Sequence, residues 1–420
     1  MKTVIELLNA HAGVSDYKIN IHNKESYELF FVKGKLETVR ATDTCDKEVT
    51  VYADHGDFKG DSQFIVYPST TPEQVSGLIE EAVAKAMMIN NQNYALPGAE
   101  EGEYAVSSNF ADYEPAQLAA IISKAVFDAN TVENAAQNSV EVFINKHTET
   151  VMNSRGLHKT QVRYDAMVES IPTYNGETQS VELYEQYNFS GLDLDALTAE
   201  IAGKMAEVKA RYEAITPAEK LDCPVVLNKL ELAQFFGRMA RDLNYSTVYS
   251  HSNLFKKGDA FQKELSGDPI GITMKGEVAG NIRSNKFDSD GMSLGEIRII
   301  DGGKAVNYYG ANRFGQYLGE TPTGNLQCMC VDTGTAVLPE TYLEVLSMSG
   351  LQVDFHNDYM GGEIRLAYLH EGGKVTPVTG ISISGKVSDV LNTIRLSGKT
   401  VTHNSYVGPE MAVLTGMAIF

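Results

Sequence analysis

Histidine side chains are the first candidates for chemistry in this sequence, because imidazole serves both as a metal ligand and as a general base. The chain contains nine histidines, and no two of them are four or five residues apart, as two ligands on one helix would be. The segment nearest to a metalloprotease motif is His370-Glu371-Gly372-Gly373-Lys374, in which the two glycines predict a hairpin turn. The histidine spacing therefore predicts no zinc site on a helix.

Two aspartates in a glycine-containing segment are the next candidates, since carboxylates bind calcium. Asp288, Asp290 and Gly291 match the beginning of a calcium loop, but residues 292–294 supply no further carboxylate. A polar turn is the better interpretation. No glycine-rich loop matches a phosphate or dinucleotide motif, and no serine lies in a Gly-x-Ser-x-Gly sequence.

The four cysteines, Cys45, Cys223, Cys328 and Cys330, are scattered along the chain. Cys328 and Cys330 would share one face of a predicted strand, but no second Cys or His pair supplies the other ligands of a structural zinc site. We therefore expect buried, reduced thiols.

Composition limits the classes of function. The 420 residues carry a net charge of −20, which repels phosphate backbones and argues against unassisted binding to nucleic acid. The N-terminal residues have no long apolar segment, and no stretch reaches the ~18 apolar residues of a membrane span. The sequence predicts a cytoplasmic protein that does not enter the membrane.

Periodicity predicts an α+β fold with three domains, at residues 1–95, 110–215 and 221–420. The first two each combine a helix, several antiparallel strands and a second helix, which suggests an internal repeat. Thr71 and Pro72 mark the beginning of one of these helices. The tripeptide Glu37-Thr38-Val39 recurs as Glu149-Thr150-Val151, at what the pattern predicts to be an equivalent place.

The third predicted domain is rich in glycine turns and short strands, which favours a sandwich or a barrel-like architecture. We expect a late helix over Ser384–Arg395 and a final strand over Met411–Phe420. At its beginning, residues 230–243 predict an amphipathic helix that is mostly buried. Its polar stripe is predicted to contain Glu231, Gln234, Arg238, Arg241 and Asp242.

A series of short motifs in this domain resembles the TldD/PmbA family, once described as modulators of DNA gyrase. An Asn-Ser-x-Gly turn at residues 153–156 fits the same plan, so the resemblance extends over nearly the whole chain. The motifs are Phe287-Asp288-Ser289-Asp290-Gly291, Gly295–Lys304, Thr321-Pro322-Thr323-Gly324-Asn325, Val331-Asp332-Thr333-Gly334-Thr335 and Gly385–Ile394.

The resemblance implies a zinc peptidase system that acts on unfolded peptides. In that family, TldD-type subunits carry His-Glu-x-x-x-His on the first helix of the third domain and a cysteine ligand near the C-terminus. PmbA/TldE-type subunits lack these ligands and pair with the first type. Histidines five apart lie ~140° apart on a regular helix, so binding one metal there requires a π-type distortion.

Placing Gly237 on the glycine that commonly precedes the second histidine assigns the remaining positions. Ala233 and Gln234 then stand at the His-Glu positions, Arg238 stands at the second histidine, and Ser405 stands in place of the cysteine. Alanine cannot bind zinc, glutamine is a poor base, and a guanidinium repels a cation. The resemblance therefore implies a subunit with no catalytic residue and no metal of its own.

The expected function is that of a PmbA/TldE-like, non-catalytic subunit that binds an unfolded peptide and shapes the cleft. Its expected partner is a TldD-like metallopeptidase subunit, which alone contributes zinc, and a homodimer is also possible. Two alternatives remain open at this stage. One is a stand-alone hydrolase, for which His251, Asp288 and Asp290 are the first candidates; the other is a homodimeric peptide-binding or scaffold protein without chemistry.

Overall fold

The computed structural model describes residues 1–420 and begins with one eight-stranded sheet. The strands are β1 (Asp16–Val32), β2 (Lys35–His55), β3 (Phe58–Ile65), β4 (Glu100–Ala105), β5 (Ala135–Asn153), β6 (Leu157–Asn175), β7 (Ser180–Glu182) and β8 (Glu185–Phe189). The helices are α1 (Lys2–Ala10), α2 (Pro72–Ala86), α3 (Pro115–Asp128) and α4 (Leu194–Glu213), with a 3₁₀ turn at Asn109–Asp112.

The central strands are longer than the periodicity predicts. Apolar alternation at Tyr17–His22 and again at Tyr27–Val32 predicts two separate strands. They are one continuous strand, β1, because β2 and β5 pair antiparallel with it along both sides. Hydrogen bonds on both edges hold the polar segment Asn23–Ser26 extended, although its side chains give no apolar alternation.

The two predicted N-terminal domains contribute to this one sheet. Its strand order is β3-β2-β1-β5-β6-β4. The strands before residue 95 and those after it therefore form two halves of one sheet, and the halves meet where β1 pairs with β5. Each half is built from a helix, a long hairpin and a closing helix. The prediction that the recurring tripeptide marks equivalent positions is wrong. Glu37–Val39 lies in the second strand of its half of the sheet, and Glu149–Val151 lies in the first long strand of the other half.

The helices cover one face of the sheet. Alternating residues of the strands, such as Ile19, Val49, Val142 and Val168, are buried beneath them. The other face carries the remaining residues of each strand, which are mostly polar, and it lies toward the C-terminal half of the chain. Thr71 caps α2 as predicted: its hydroxyl accepts from the Gln74 backbone at 3.3 Å.

Residues after 220 form two further sheets, of six and nine strands. The strands are β9 (Val225–Asn228), β10 (Ile272–Lys275), β11 (Glu296–Asp301), β12 (Lys304–Ala305), β13 (Cys328–Val331), β14 (Tyr342–Met348), β15 (Gln352–Asp354), β16 (Tyr359–Glu371), β17 (Lys374–Val378), β18 (Ile381–Gly385), β19 (Arg395–Leu396), β20 (Thr400–His403), β21 (Tyr406–Pro409), β22 (Met411–Leu414) and β23 (Ala418–Ile419). The helices are α5 (Lys229–Asp242), α6 (Tyr245–Tyr249), α7 (Asn312–Tyr317) and α8 (Val387–Thr393).

Both sheets and α5 share one hydrophobic core of 37 buried residues. The predicted α+β class is confirmed. Two element predictions were wrong in their bounds: residues 381–385 form β18 before the short helix α8, and residues 411–420 are divided between β22 and β23. The division follows from the positive φ of 82° at Gly416, which interrupts the extended backbone between the two strands. No helix in residues 1–420 is long and apolar enough to cross a membrane.

Candidate functional site

Helix α5 is held rigidly at both its beginning and its buried face. The Asn228 side chain accepts from the Leu230 backbone N–H at 2.8 Å and donates to the Val345 carbonyl at 3.0 Å, which joins the first turn to β14. On the buried face, Phe236 stacks parallel to Tyr406 of β21, with ring centroids 6.4 Å apart. These contacts fix which residues of the helix reach solvent.

The predicted polar stripe of α5 is correct for only part of its length. Gln234, Arg238 and Arg241 are exposed, and Asp242 accepts two backbone N–H groups, from residues 254 and 255. Glu231 is only 2% exposed, so its assignment to the stripe was wrong. The first turn packs toward α4, and this burial raises the pKa of the Glu231 carboxyl to about 7.

A cavity of about 850 Å³ opens beside α5. The helix contributes small residues to its wall, namely Ala233, Gly237 and Ala240, together with Arg241 at one side. The remaining lining residues are Asn244, Ser246, Thr247, Ser250, Ser252, Met274, Arg283, Tyr309, Leu326, Gln327, Met329 and Ser405. We refer to this space as the helix cavity.

The four predicted motif positions separate into two groups in the structure. Ala233 and Ser405 both line the helix cavity, whereas Gln234 does not, and Arg238 faces a neighbouring depression formed with residues 351–356. The α5 backbone is regular α-helix throughout, without a π turn. On such a helix Gly237, four residues after Ala233, shares its face, and the fifth residue does not.

Ser405 reaches the cavity from the turn between β20 and β21. Its carbonyl accepts from the Met329 backbone N–H at 2.7 Å, and the preceding residue, Asn404, has a positive φ of 51° that closes the turn. Sequence reasoning assigned Ser405 to this place from order alone. The structure brings it to the same cavity as Ala233.

The residues of the helix cavity do not fit a zinc ion. Zinc in proteins is bound by thiolate, imidazole or carboxylate, and none of the lining residues is Cys, His, Asp or Glu. The wall instead presents hydroxyls, amides, thioethers and two guanidinium groups. These groups suit a polar or anionic ligand, and no metal chemistry follows from them.

A second cavity of about 470 Å³ continues from the first, because Arg283 and Gln327 belong to the walls of both. One of its sides is the polar face of the large sheet, and the other is the loop that contains the Asp288–Gly291 turn. The sheet residues are Asn20, Ile21, His22, Asp46, Glu48, Glu149, Thr150, Val151, Gln161 and Arg163. We call the two cavities together the cleft.

Polar contacts between the sheet and the C-terminal domain hold the cleft in shape. The Lys159 ammonium, which is fully buried, donates to the Gly291 carbonyl at 3.1 Å and to the Ser293 hydroxyl at 2.7 Å, and pairs with Glu100 at 2.6 Å. Lys18 pairs with Asp290 at 2.5 Å. A buried ammonium needs such partners to offset its lost hydration, so these contacts fix the two sides relative to each other.

The Asp288–Gly291 segment is a turn, as its sequence suggests. Both carboxylate oxygens of Asp288 accept backbone N–H groups: one from residues 290 and 292, and the other from Asn325 at 2.8 Å. Burial and the neighbouring Asp290 raise the pKa of Asp288. Because these oxygens are occupied by backbone donors, the carboxylate acts as a brace of the cleft.

Sequence reasoning missed the functional groups of the sheet side. His22, Glu149 and Arg163 come from three neighbouring strands, β1, β5 and β6, and no spacing along the chain brings them together. The one local signal was His147-Thr148-Glu149, in which two metal-ligating side chains share one strand face. Arg241 and Arg283 were also missed as a pair, since 41 residues separate them in the sequence and only the fold places both in the helix cavity.

The charge of the cleft changes along its length. Arg241 and Arg283 line the helix cavity and have no ion pair with any carboxylate, in a chain whose net charge is −20. The second cavity has four carboxylates against two guanidinium groups in its wall. One end of the cleft is therefore cationic and the other is anionic.

Three solved structures match this fold over the whole length of the chain. TldE from Thermococcus kodakarensis superposes with a TM-score of 0.80 at 15% identity, covering 100% of this chain and 99% of its own. A protein from Bacteroides thetaiotaomicron described as a modulator of DNA gyrase has a TM-score of 0.77 at 13% identity, covering 100% and 96%. One so described from Thermotoga maritima has a TM-score of 0.74 at 14% identity, covering 100% of both. At these identities the likeness shows the fold.

The sequence itself also matches a known family in its C-terminal half. Residues 220–419 match the PmbA/TldA metallopeptidase C-terminal domain family, and these residues include α5, the helix cavity and Ser405. Among curated proteins, none matches the sequence significantly. The resemblance to the TldD/PmbA family is confirmed, by the sequence match over residues 220–419 and by the fold over the whole chain.

Proposed function

We propose that this chain is a non-catalytic, peptide-binding subunit of a metallopeptidase, working with a metal-bearing partner of the TldD type. The observation that supports this most is the helix cavity. Ala233 and Ser405, which the resemblance assigns to two metal-ligand positions of the family's active members, both line this cavity, and its wall contains no side chain that binds zinc. The catalytic zinc would then belong to the partner alone.

The dimensions of the cleft support a peptide as the bound ligand. Two adjoining cavities of about 850 and 470 Å³ form a long space that suits an extended chain. Its wall offers backbone-like amide partners in Asn20, Asn285, Asn325 and Gln327, which favour a polypeptide over an apolar small molecule. An unfolded segment can enter such a cleft, whereas a folded domain cannot.

The candidate residues of a stand-alone hydrolase receive little support. His251 is exposed, follows the short helix α6 with a positive φ of 56°, and does not line the cleft. Asp288 is occupied by three backbone N–H groups, and Asp290 pairs with Lys18. No hydrogen bond or ion pair joins the histidine to either aspartate.

The test fills the helix cavity without disturbing the fold. A Cβ added at Gly237 meets no atom within 4 Å, so Gly237→Leu projects an isobutyl group into open cavity space. Replacing a helical glycine also stabilises the helix by roughly 0.5–1 kcal/mol. We expect the variant to fold normally and to lose at least tenfold in affinity for an unstructured, fluorescently labelled peptide.

The matched control is Gly203→Leu on α4, where an added Cβ also meets no atom within 4 Å and the residue is exposed, away from the cleft. Each protein is mixed with a purified TldD-type metallopeptidase, and cleavage of a quenched peptide is followed. Activity should require both subunits, persist with the control and fall with Gly237→Leu. Cleavage by this chain alone would support the hydrolase alternative, and a stable homodimer that binds peptide but ignores the metallopeptidase would support the scaffold alternative.

A further inference from the structure

Three metal-ligating side chains converge on the sheet side of the cleft. His22 on β1 is the direct cross-strand neighbour of Glu149 on β5, and His147 lies two residues before Glu149 on the same face. One donor atom from each of the three lies within 4.8 Å of the other two. His22 Nε2 is 2.8 Å from His147 Nδ1 and 3.8 Å from Glu149 Oε1.

The hydrogen bonds of His147 determine which of its nitrogens faces the group. Its Nε2 lies 2.8 Å from Asp165 Oδ2, and this carboxylate also pairs with Arg163 at 3.0 Å. An ionised carboxylate only accepts, so Nε2 carries the proton and Nδ1 presents its lone pair toward His22. A carboxylate behind an imidazole in this way is the usual support of a metal-binding histidine.

Glu149 is oriented toward the same point by two further residues. Gln161 donates to its Oε2 at 2.8 Å, and Arg163 donates to its Oε1 from both Nε, at 3.2 Å, and Nη2, at 3.0 Å. Each carboxylate oxygen has two lone pairs, so Oε2, which accepts from Gln161 alone, keeps one for a cation. The half-exposed ring of His22 has room to adjust its distance to both neighbours, because its side chain is 39% exposed.

We propose that His22, His147 and Glu149 bind one divalent transition-metal ion, with zinc the best match, and that its remaining position faces the cleft. Two imidazoles and one carboxylate are the donor set of an open zinc site, in which a water or a ligand atom completes the tetrahedron. Calcium and magnesium prefer oxygen donors only and are not expected to bind. The site includes no residue of α5. It would give this chain a metal ion of its own, whereas the sequence predicts that only the partner subunit binds zinc.

The electrostatic surroundings favour a cation despite Arg163. The cavity wall contains Asp46, Glu48, Glu149 and Asp288 against Arg163 and Arg283, and Asp165 lies directly behind His147. Carboxylates therefore outnumber guanidinium groups around the three ligands. The competing state is a hydrogen-bonded pair of histidines without a metal, in which Glu149 only accepts from Gln161 and Arg163.

The experiment measures zinc binding to the full chain after treatment with a chelator and dialysis. Titration calorimetry and elemental analysis should give one Zn²⁺ per chain, with no comparable binding of Ca²⁺ or Mg²⁺. Co²⁺ should give the visible absorption bands of a tetrahedral N/O site. His22→Ala should weaken zinc binding by more than tenfold, and Asp165→Asn, which removes only the support of His147, by about tenfold.

The matched control is His370→Ala, since His370 also pairs with a carboxylate, Glu344 at 2.8 Å, but on a distant sheet. It should bind zinc as the unchanged chain does. Thermal unfolding monitors folding, and Glu149→Gln, which keeps its size and one hydrogen-bonding oxygen, repeats the test should His22→Ala prove unstable. Substoichiometric zinc in the unchanged chain, or equal affinity in His22→Ala, would overturn the proposal. Because no peptide or metallopeptidase is present, the result does not depend on the proposed function.

Discussion

The two sides of the cleft have opposite chemistry although they face the same space. The side formed by α5 presents Ala233, Gly237 and Ser405, which leave room and bind no metal. The side formed by the large sheet presents His22 and Glu149 among several carboxylates. The helix side therefore offers space without a metal-binding side chain, while the sheet side holds the side chains that we propose as metal ligands.

This difference has a physical origin in the two kinds of element. A helix reaches the cleft with every third or fourth residue, so a few substitutions by small residues remove all of its chemistry. A sheet with one face on a hydrophobic core must place every second residue of each strand on the other face, and several polar side chains then stand side by side. Function consequently has to be argued from the side chains on each wall, because the fold alone is compatible with either.

The largest expected effect on stability comes from removing a contact that joins the two sides of the cleft. Lys159→Met removes a fully buried ammonium that binds Gly291 and Ser293 across the cleft, and leaves their oxygens without this donor. We expect the free energy of unfolding to fall by about 2–4 kcal/mol. Urea unfolding measures the change, and peptide affinity should fall with it.

A surface ion pair provides the comparison for that variant. Lys85→Met breaks the exposed pair of Lys85 with Glu81 on α2 and should leave the midpoint of urea unfolding nearly unchanged. Equal effects of the two substitutions would show that Lys159 does not brace the cleft.

A smaller effect is expected at the buried beginning of the helix side. Burial raises the pKa of Glu231 from 4.5 to about 7, so the native state binds the proton more tightly than the unfolded state. The free energy of unfolding therefore falls as pH rises from about 4.5 to 7. Glu231→Gln cannot ionise and should be about 1–3 kcal/mol more stable than the unchanged chain at pH 8, but nearly equal to it at pH 4.5. Urea unfolding at both pH values measures this, and a difference that is independent of pH would contradict the burial of the charge.

The smallest effect concerns the charge that distinguishes the helix side. Arg241→Ala removes an unpaired guanidinium from the helix cavity and should weaken binding of peptides with a free C-terminal carboxylate by about tenfold. Binding of the same peptides with an amidated end should change little. Fluorescence anisotropy measures both affinities.

Two other arginines calibrate this result. Arg211 on α4 also lacks an ion pair and lies away from the cleft, so Arg211→Ala should leave peptide affinity unchanged. Arg238→Ala should change it less than twofold, since Arg238 does not line the helix cavity. A larger loss at Arg238 than at Arg241 would contradict the assignment of the peptide carboxylate to Arg241.

Sequence reasoning succeeded where the signals are local. The capped beginning of α2 at Thr71, the apolar face of α5 and the polar turn at Asp288 all depend on residues within a few positions of one another. The family resemblance was carried by motifs of this kind as well. The cytoplasmic location and the pairing with a metallopeptidase stay predictions.

Reasoning failed where distant segments decide the structure. Glu231 is buried in a first turn that the Lys229–Glu200 ion pair joins to α4, and β1 remains extended through a polar segment because two partner strands hold it. The motif match does not say which side chains reach the cavity: α5 is a regular helix, so Gly237 lies beside Ala233 in the cavity wall and Arg238 does not. The histidine cluster could not be predicted, because register between strands, and not spacing along the chain, assembles it.

Arg283 and Gln327 line both cavities, so two ligands bound in the cleft at the same time would affect each other's affinity. A peptide carboxylate that draws the Arg283 guanidinium into the helix cavity withdraws positive charge from the metal-ligating end. Occupancy of one end then strengthens binding at the other, and thermodynamic linkage requires the same free-energy coupling in both directions. The two proposed sites, on opposite sides of the cleft, would in this way respond to each other through the one guanidinium that both walls share.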